Sequence, residues 1–383
     1  MKPARQQADA LEQSALNAKG TGSPRSSPTS VRAARATTSE SVVMTVDGPV
    51  PPEQLGSTLI HEHLWLDATP LLAMHGYASD RGTPFDARAA AEARWNPGCH
   101  PENYRLTDLD LAVEEVRLYL EAGGRTIVDV TPSHLGRNPT ALQSIAKRTG
   151  VQVIMGGGFY LEPTLPAGFE TRSSESITSE LIGEWQHGVG DTGVRPGILG
   201  EFGTGTPPTA TELRVLRAAG DASLATGLSI TIHLHPWGRT GQVVVDLLVR
   251  AGVAPERIVL NHLNTAYDDE RYLRTLVDSG VFVAFDLFGF DHSLLGLGRF
   301  PPSDADVALT VARLARGGHA GQILLSQDIG VRTRYCAYGG WGYGHLLRHV
   351  VPLLTDAGLE DVVIQRLLVT NPGRVLTVRV DGS

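Results

Sequence analysis

The chain has 383 residues, of which 42% are hydrophobic and 19% are charged, a composition typical of folded globular proteins and too apolar for a fully disordered chain. Its mean hydropathy of −0.06 and the absence of a long apolar run predict no membrane-spanning segment. The net charge of −8, without a cluster of Lys and Arg, argues against nucleic acid or an anionic membrane as a partner. Two cysteines, Cys99 and Cys336, are too few for a disulfide framework, so we expect a reducing, cytoplasmic location.

The first 42 residues differ in composition from the rest of the chain. They are rich in Ser, Thr, Arg, Gly and Pro and contain few large apolar residues, so we expect residues 1–42 to be a disordered extension. A signal peptide would need an apolar stretch after its basic residues, and none is present. The Arg-rich run at 32–35 leaves an organellar transit peptide as an alternative. Residues 43–383 are predicted to form one domain.

Short apolar, β-branched runs recur through that domain and predict buried strands. There are eight, at 58–66, 125–133, 151–160, 196–204, 228–235, 257–263, 281–289 and 322–330. Amphipathic segments with polar starts and glycine ends separate them, as expected for helices. Eight alternating strands and helices predict an α/β fold, specifically a (β/α)8 TIM barrel. A doubly wound open sheet is the alternative, but it usually has a glycine fingerprint after its first strand.

Two insertions interrupt this alternation. Residues 67–105 follow the first strand, and residues 330–345, which are dense in glycine and aromatic residues, follow the eighth. In a barrel both loops lie on the C-terminal face, where active sites are built. The second loop is therefore predicted to be a mobile lid or a wall of the substrate pocket, with an inert surface loop as the alternative.

Polar residues follow several of the predicted strands. His61 and His63 are two residues apart on the first strand, so both imidazoles should point the same way. The C-terminal ends of four further strands carry other candidate ligands, namely Glu201, His233, His262 and Asp328. Histidine and carboxylate ligands suit Zn²⁺, or Mn²⁺ or Co²⁺ in its place. Six ligands suffice for two ions that share a bridging carboxylate and a bridging hydroxide.

These motifs resemble the phosphotriesterase family of the amidohydrolase superfamily, from about Thr58 to Leu376. The matching pieces are GSTLIHEH at 56–63, VDVTPSHLGR at 128–137, GILGEFGT at 197–204, TIH at 231–233, NH at 261–262, SQD at 326–328 and VTNPGR at 369–374. The resemblance implies a binuclear metal site at the C-terminal face. In it, His61, His63 and Asp328 would hold the buried metal, and His233 and His262 the more exposed one.

Founding members of that family bridge their metals with a carboxylated lysine, which this chain cannot supply. Its lysines are Lys2, Lys19 and Lys147, and Lys147 is predicted to lie in a helix before the third strand. The resemblance to branches that use glutamate implies that Glu201 is the bridge. We expect Asp328 to be catalytic as well, accepting the proton of the metal-bridging hydroxide.

A second catalytic residue and one departure also follow from the resemblance. Tyr160 matches a tyrosine of the family's lactone-hydrolysing members and would orient the nucleophile or the substrate oxygen; packing at the rim is the alternative. Leu287 and Asn264 stand where phosphotriesterases relay the proton outward, which argues against efficient organophosphate hydrolysis. His235 and His292 are nearby in sequence and could substitute, but packing at the rim is the favoured interpretation for each.

We therefore expect a metal-dependent hydrolase that attacks a carbonyl centre, with a lactone or carboxylic ester as the first hypothesis. An amidase acting on an N-acylated small molecule comes second, then an organophosphate triesterase, then a barrel that binds a ligand without turning it over. An acidic substrate would need convergent arginines, for which Arg137, Arg239, Arg332 and Arg334 are candidates by position, although a structural role is favoured for Arg137. We expect a small-molecule substrate and a homodimer.

Overall fold

In the computed structural model, which describes residues 39–77, 84–294 and 296–381, eight parallel strands form one sheet. Each strand pairs with its neighbours along the chain. The strands are β1 (Thr58–Glu62), β2 (Thr126–Asp129), β3 (Gln152–Gly157), β4 (Ile198–Thr204), β5 (Ile230–Leu234), β6 (Ile258–Leu260), β7 (Phe282–Phe285) and β8 (Ile323–Leu325). Every strand falls within one of the predicted apolar runs, so the prediction of a (β/α)8 barrel is confirmed.

Hydrogen bonds between the ends of β1 and β8 bring the two edges of the sheet together. The amide of Asp328 donates to the carbonyl of His61 over 3.1 Å. The buried carboxylate of Glu62 accepts hydrogen bonds from the amides of Gln327, at 2.8 Å, and Ile329, at 2.9 Å. Because these bonds tie His61 to Asp328, closing the barrel also sets the relative position of two candidate ligands.

Helices cover the outer face of the sheet. Seven follow β1 to β7 in turn: Leu109–Glu121, Pro139–Thr149, Ser174–His187, Ala210–Thr226, Gly241–Arg250, Glu270–Asp278 and Asp304–Leu314. Shorter helices at Val351–Asp356, Asp361–Gln365 and Asn371–Leu376 follow β8, and the first insertion contains Thr69–Met74 and Ala87–Trp95. The predicted polar start and glycine end are clear in the second of the seven. The Asn138 side chain accepts from the Ala141 amide, and Gly150 ends the helix with φ of 81°.

A second, antiparallel sheet was not predicted. Its strands are Ser39–Thr45, Gly48–Val50 and Thr377–Asp381, and Val42 pairs with Val378. Residues 39–42 therefore belong to a strand, and the predicted boundary of the extension at residue 42 was wrong. The strand pairs with nearby Gly48–Val50 and also with Thr377–Asp381, and the second partner, more than 300 residues away, is not indicated by the local sequence. Residues 1–38 of the predicted extension lie outside the described residues.

The apolar residues form two layers that follow the alternation of side chains along each strand. Ile60, Val128, Ile154, Ile198 and Val259 belong to one cluster, which also includes Val43, Leu55 and Leu376. Their sequence neighbours, such as Leu59, Ile127 and Val153, belong to the cluster shared with the helices. The barrel interior is thus a packed core, and polar side chains are left for the C-terminal ends of the strands. No helix in the described part of the chain is long and apolar enough to cross a bilayer.

Candidate functional site

The six predicted metal ligands come together at the C-terminal ends of the strands. Their side chains form three overlapping triads in which all ligand atoms lie within 4.8 Å of one another. The triads are His61, His63 and Glu201; His61, His262 and Asp328; and Glu201, His233 and His262. Each triad is sufficient in number and type for one metal ion, and the overlap makes a two-ion site possible.

Glu201 lies between two histidine pairs, His61 with His63 and His233 with His262. One carboxylate oxygen is 3.5 Å from His63 Nε2. The other is 3.7 Å from His61 Nε2 and 3.5 Å from His233 Nδ1. The two oxygens of one carboxylate therefore face nitrogens of both pairs, which is the arrangement needed for a bridging ligand.

Asp328 and His262 complete the cluster. Asp328 Oδ1 is 3.3 Å from His63 Nε2 and 3.6 Å from His61 Nε2, and His262 Nε2 is 2.7 Å from His233 Nδ1. Asp328 and His262 have φ values of 55° and 66°, and they are the two non-glycine residues with positive φ among those described. Such backbone strain costs about 1–3 kcal/mol per residue and is typical of functional sites.

A second layer of buried groups orients the imidazoles. Asp286 accepts from the backbone amide of His262, at 2.8 Å, and contacts its Nδ1 at 3.0 Å. Thr131 Oγ1 is 2.8 Å from His63 Nδ1, and Asp129 accepts from the Thr131 amide over 3.0 Å. Asp129 and Thr131 were not among the predicted site residues. Their signal was present, since both are polar residues at the end of a buried strand.

The electrostatics of the cluster favour a cation. Burial opposes protonation of His63, but its hydrogen bond to Asp328 and the carboxylates nearby raise its pKa to about 9. His262 also reaches a pKa of about 9, because the attraction of Asp286 outweighs the effect of burial. Burial raises the pKa of Glu201.

Buried ligand atoms without partners support the fit to metal ions. Neither nitrogen of His61 nor Oε2 of Glu201 has a hydrogen-bond partner, although all three atoms are inaccessible to solvent. An unpaired buried polar group costs about 1–3 kcal/mol. Nitrogen and carboxylate oxygen are the donors that Zn²⁺ and related divalent ions prefer. The residues present therefore fit two such ions.

The predicted catalytic tyrosine lies beside the cluster. The hydroxyl of Tyr160 is 3.1 Å from Nδ1 and 3.3 Å from Nε2 of His233. Its ring meets that imidazole edge to face, with the ring centroids 4.7 Å apart. The hydroxyl stays protonated at neutral pH, because burial and the neighbouring carboxylates raise the pKa of Tyr160 well above its usual value.

A cavity of about 240 Å³ lies over the cluster. Its floor includes His63, Glu201 and Asp328, and Tyr160 forms part of its wall. The first insertion contributes residues 68, 71, 74, 75 and 104, as predicted for a loop on this face. The loop after β7 contributes residues 287, 290, 292, 294 and 297, and this part of the wall was not predicted from the sequence.

The glycine-rich loop after β8 differs from the predicted lid. Only Gly330 and Val331 of residues 330–345 line the cavity. Tyr335 and Tyr343 are buried, and the Tyr343 hydroxyl donates to the carbonyl of His63 over 2.7 Å. These aromatic side chains support a candidate ligand from behind, because apolar rings pack against the barrel more favourably than they face solvent.

The remaining candidates divide into two groups. His235 and His292 line the cavity, whereas Lys147 lies on an exposed helix face, away from the site. Asn264 accepts a hydrogen bond from the backbone amide of Leu287 over 3.0 Å, so it holds the loop after β7 in place.

Similar proteins indicate the same family as the geometry of the site. The family model described as the phosphotriesterase family matches residues 41–376. The chain belongs to the phosphotriesterase family. The structure is also similar to the crystal structure of a phosphotriesterase homology protein from Escherichia coli, complexed with phosphate in its active site. The TM-score is 0.70 at 25% sequence identity, covering 85% of this chain and 99% of that one.

Two further groups of relatives bear on the type of reaction. N-acetyltaurine hydrolases from Homo sapiens and Rattus norvegicus are 32% and 34% identical to this chain over 345 and 346 residues, covering 88% of it and 98% of each relative. A resiniferatoxin-binding protein from Rhodobacter sphaeroides has a TM-score of 0.83 at 37% identity, covering 88% of this chain and 94% of that one. The hydrolases cleave an amide, in agreement with the second functional hypothesis rather than the lactone or ester placed first.

Proposed function

We propose that this chain is a hydrolase that uses two divalent metal ions to cleave the amide bond of an N-acylated small molecule. The observation that carries the proposal is the position of Glu201, whose two oxygens lie 3.5–3.7 Å from nitrogens of His61, His63 and His233. A carboxylate between two histidine pairs is suited to bridging two cations. The relatives that cleave N-acetyltaurine support an amide as the bond.

The ligand assignment is the one that the family resemblance implies, and the contacts of the cluster support it. His61, His63 and Asp328 would hold one ion, and His233 and His262 the other, with Glu201 shared between them. When bound, two such ions supply a deprotonated water as the nucleophile and polarise the carbonyl group of the substrate. We favour Zn²⁺, with Mn²⁺ or Co²⁺ as alternatives, because the ligands are imidazoles and carboxylates.

Residues of the chain itself would transfer the proton and donate a hydrogen bond to the substrate oxygen. Asp328 lies at the cavity floor with Oδ1 within 3.6 Å of His61 and His63, where it can accept the proton of the attacking water. Amide cleavage also requires that the leaving amine gains a proton, and Asp328 can return the one it accepted. The Tyr160 hydroxyl, beside His233, can donate a hydrogen bond to the substrate carbonyl oxygen.

The experiment combines metal analysis with a panel of substrates. We expect purified protein to contain about two equivalents of a divalent transition metal, and a chelator to abolish hydrolysis of N-acetyl amides until metal is restored. Bicarbonate should not be needed for reconstitution, because Glu201 requires no carboxylation. A metal-free protein that still cleaves amides would contradict the metal centre. Cleavage of esters or lactones with no cleavage of any amide would contradict the choice of bond.

A further inference from the structure

The wall of the cavity is markedly apolar away from the ligand cluster. Apolar side chains from three loops line it, among them Leu71, Met74, Leu161, Leu287, Phe290 and Leu294. No lysine or arginine is among the lining residues in the described part of the chain. Burial lowers the pKa of His75, and it lowers that of His292 to about 4. Those two wall histidines are therefore uncharged at neutral pH.

The four arginines predicted as candidates for binding an acidic substrate make salt bridges or hydrogen bonds within the protein. Arg137 pairs with Glu184, with an Nη2–Oε1 distance of 2.5 Å, and Arg332 lies 3.0 Å from Glu102. Arg334 is buried and donates to backbone carbonyls, at 2.6 Å to Gln327.

The fourth of these arginines is engaged in other contacts as well. Arg239 contacts Asp269 at 3.3 Å and donates to the carbonyl of Thr265 over 3.1 Å. Like the other three, it is absent from the cavity lining. Recruiting any of the four to a substrate would break the contacts that it already makes.

A cavity of this chemistry discriminates strongly against an anion. An ionised group that enters an apolar environment loses its hydration, and it recovers that cost only if a charged or hydrogen-bonding partner is present. The metal ions would offer limited attraction beyond the cluster, because Glu201, Asp328 and Asp286 place three carboxylates around them.

We propose that this cavity binds uncharged, hydrocarbon-rich N-acyl compounds and rejects small anionic ones such as N-acetyltaurine. The proposal rests on the proposed function, because it names the substrate class of the same site. It also separates this chain from its relatives that hydrolyse N-acetyltaurine, whose substrate carries a sulfonate.

The test uses substrates matched in size. N-acetyltaurine is compared with its methyl sulfone analogue, in which a methyl group replaces the charged sulfonate oxygen, and with N-acetylpentylamine. We expect kcat/KM for both neutral amides to exceed that for N-acetyltaurine by at least about a hundredfold. A ratio near one, or a preference for the sulfonate, overturns the proposal.

Two variants locate the discrimination in the wall. Leu71→Arg and Leu294→Arg each add a guanidinium at a half-buried lining position on a different loop. We expect at least one of them, still folded by circular dichroism, to lower the neutral-to-anionic ratio about tenfold. Leu224→Arg, on an exposed helix position, is the matched control and should leave the ratio unchanged. An unchanged ratio in both folded wall variants also overturns the proposal.

Binding measurements keep this inference separable from the proposed hydrolysis. Ketone analogues, in which CH2 replaces the amide N–H, cannot be cleaved, and their affinities are measured by calorimetry. Preferential binding of the neutral ketones with no cleavage of any amide would contradict the hydrolase and support the cavity assignment. Amide cleavage with equal binding of neutral and anionic ketones would support the hydrolase and contradict the cavity assignment.

Discussion

The charge of Glu201 can be removed with almost no change of shape by the substitution Glu201→Gln. The carboxylate is buried, and its oxygens lie 3.5–3.7 Å from nitrogens of His61, His63 and His233. Because those nitrogens are the proposed ligands, a bound cation would lie at a comparable or shorter distance from Glu201. The substitution therefore tests whether the cluster is held together by metal ions.

The size of the expected effect follows from Coulomb's law. Two unit charges about 4 Å apart interact by about 4 kcal/mol at an effective dielectric constant of about 20. Losing the carboxylate should weaken metal binding by at least that amount, which corresponds to roughly a thousandfold in affinity. Both ions should be affected, because Glu201 faces both histidine pairs.

Plasma emission spectrometry after dialysis, followed by chelator competition, measures the stoichiometry and affinity. We expect about two equivalents in the wild type and at most one in Glu201→Gln, with at least a hundredfold loss of kcat/KM. Glu115→Gln is the control, because that buried carboxylate accepts from the amides of Cys336 and Ala337, away from the site. It should retain both ions. If Glu201→Gln binds two ions with an affinity within about tenfold of the wild type, the bridging role is wrong.

Three further predictions concern catalysis, pH and the N-terminal region. Tyr160→Phe should lower kcat/KM for amides about 10–100-fold with unchanged metal content, because it removes one hydroxyl beside His233; an equal rate would contradict its role. Burial lowers the pKa of His292 to about 4, so the unfolded chain takes up its proton first as pH falls. Urea titrations should therefore show that His292 lowers the free energy of unfolding by about 2 kcal/mol as the pH falls from about 7 to about 5. This loss should be absent in His292→Gln. It should be retained in His187→Gln, the control at an exposed position. Deleting residues 1–38 should change the unfolding free energy by less than about 1 kcal/mol, whereas deleting residues 1–45 should cost more, because it removes the strand paired with Thr377–Asp381. Equal costs for the two deletions would refute this.

The sequence alone determined the barrel and the candidate ligand set. A strand buried on both faces needs a continuous apolar run, so eight such runs revealed eight strands. The ligands followed from the same rule, because a histidine or carboxylate at the end of such a run must lie at the C-terminal face. This is why His61, His63, Glu201, His233, His262 and Asp328 could be named before the structure. Both signals are local in sequence.

Only the tertiary structure decided how distant segments meet. The strand at Ser39–Thr45 pairs with the C-terminal strand as well as with nearby Gly48–Val50, and local composition does not encode the distant contact. Glu62 was recognised as the link between β1 and β8 only when its carboxylate was found to accept two amides near Asp328. The character of the cavity likewise depends on which side chains from three loops converge. Whether an arginine faces a substrate or an internal carboxylate, as Arg137 faces Glu184, depends on contacts between residues far apart in the chain. Long-range packing of this kind leaves no periodic pattern in the sequence, which is why the proposed substrate class rests on the structure and the candidate reaction centre on the sequence.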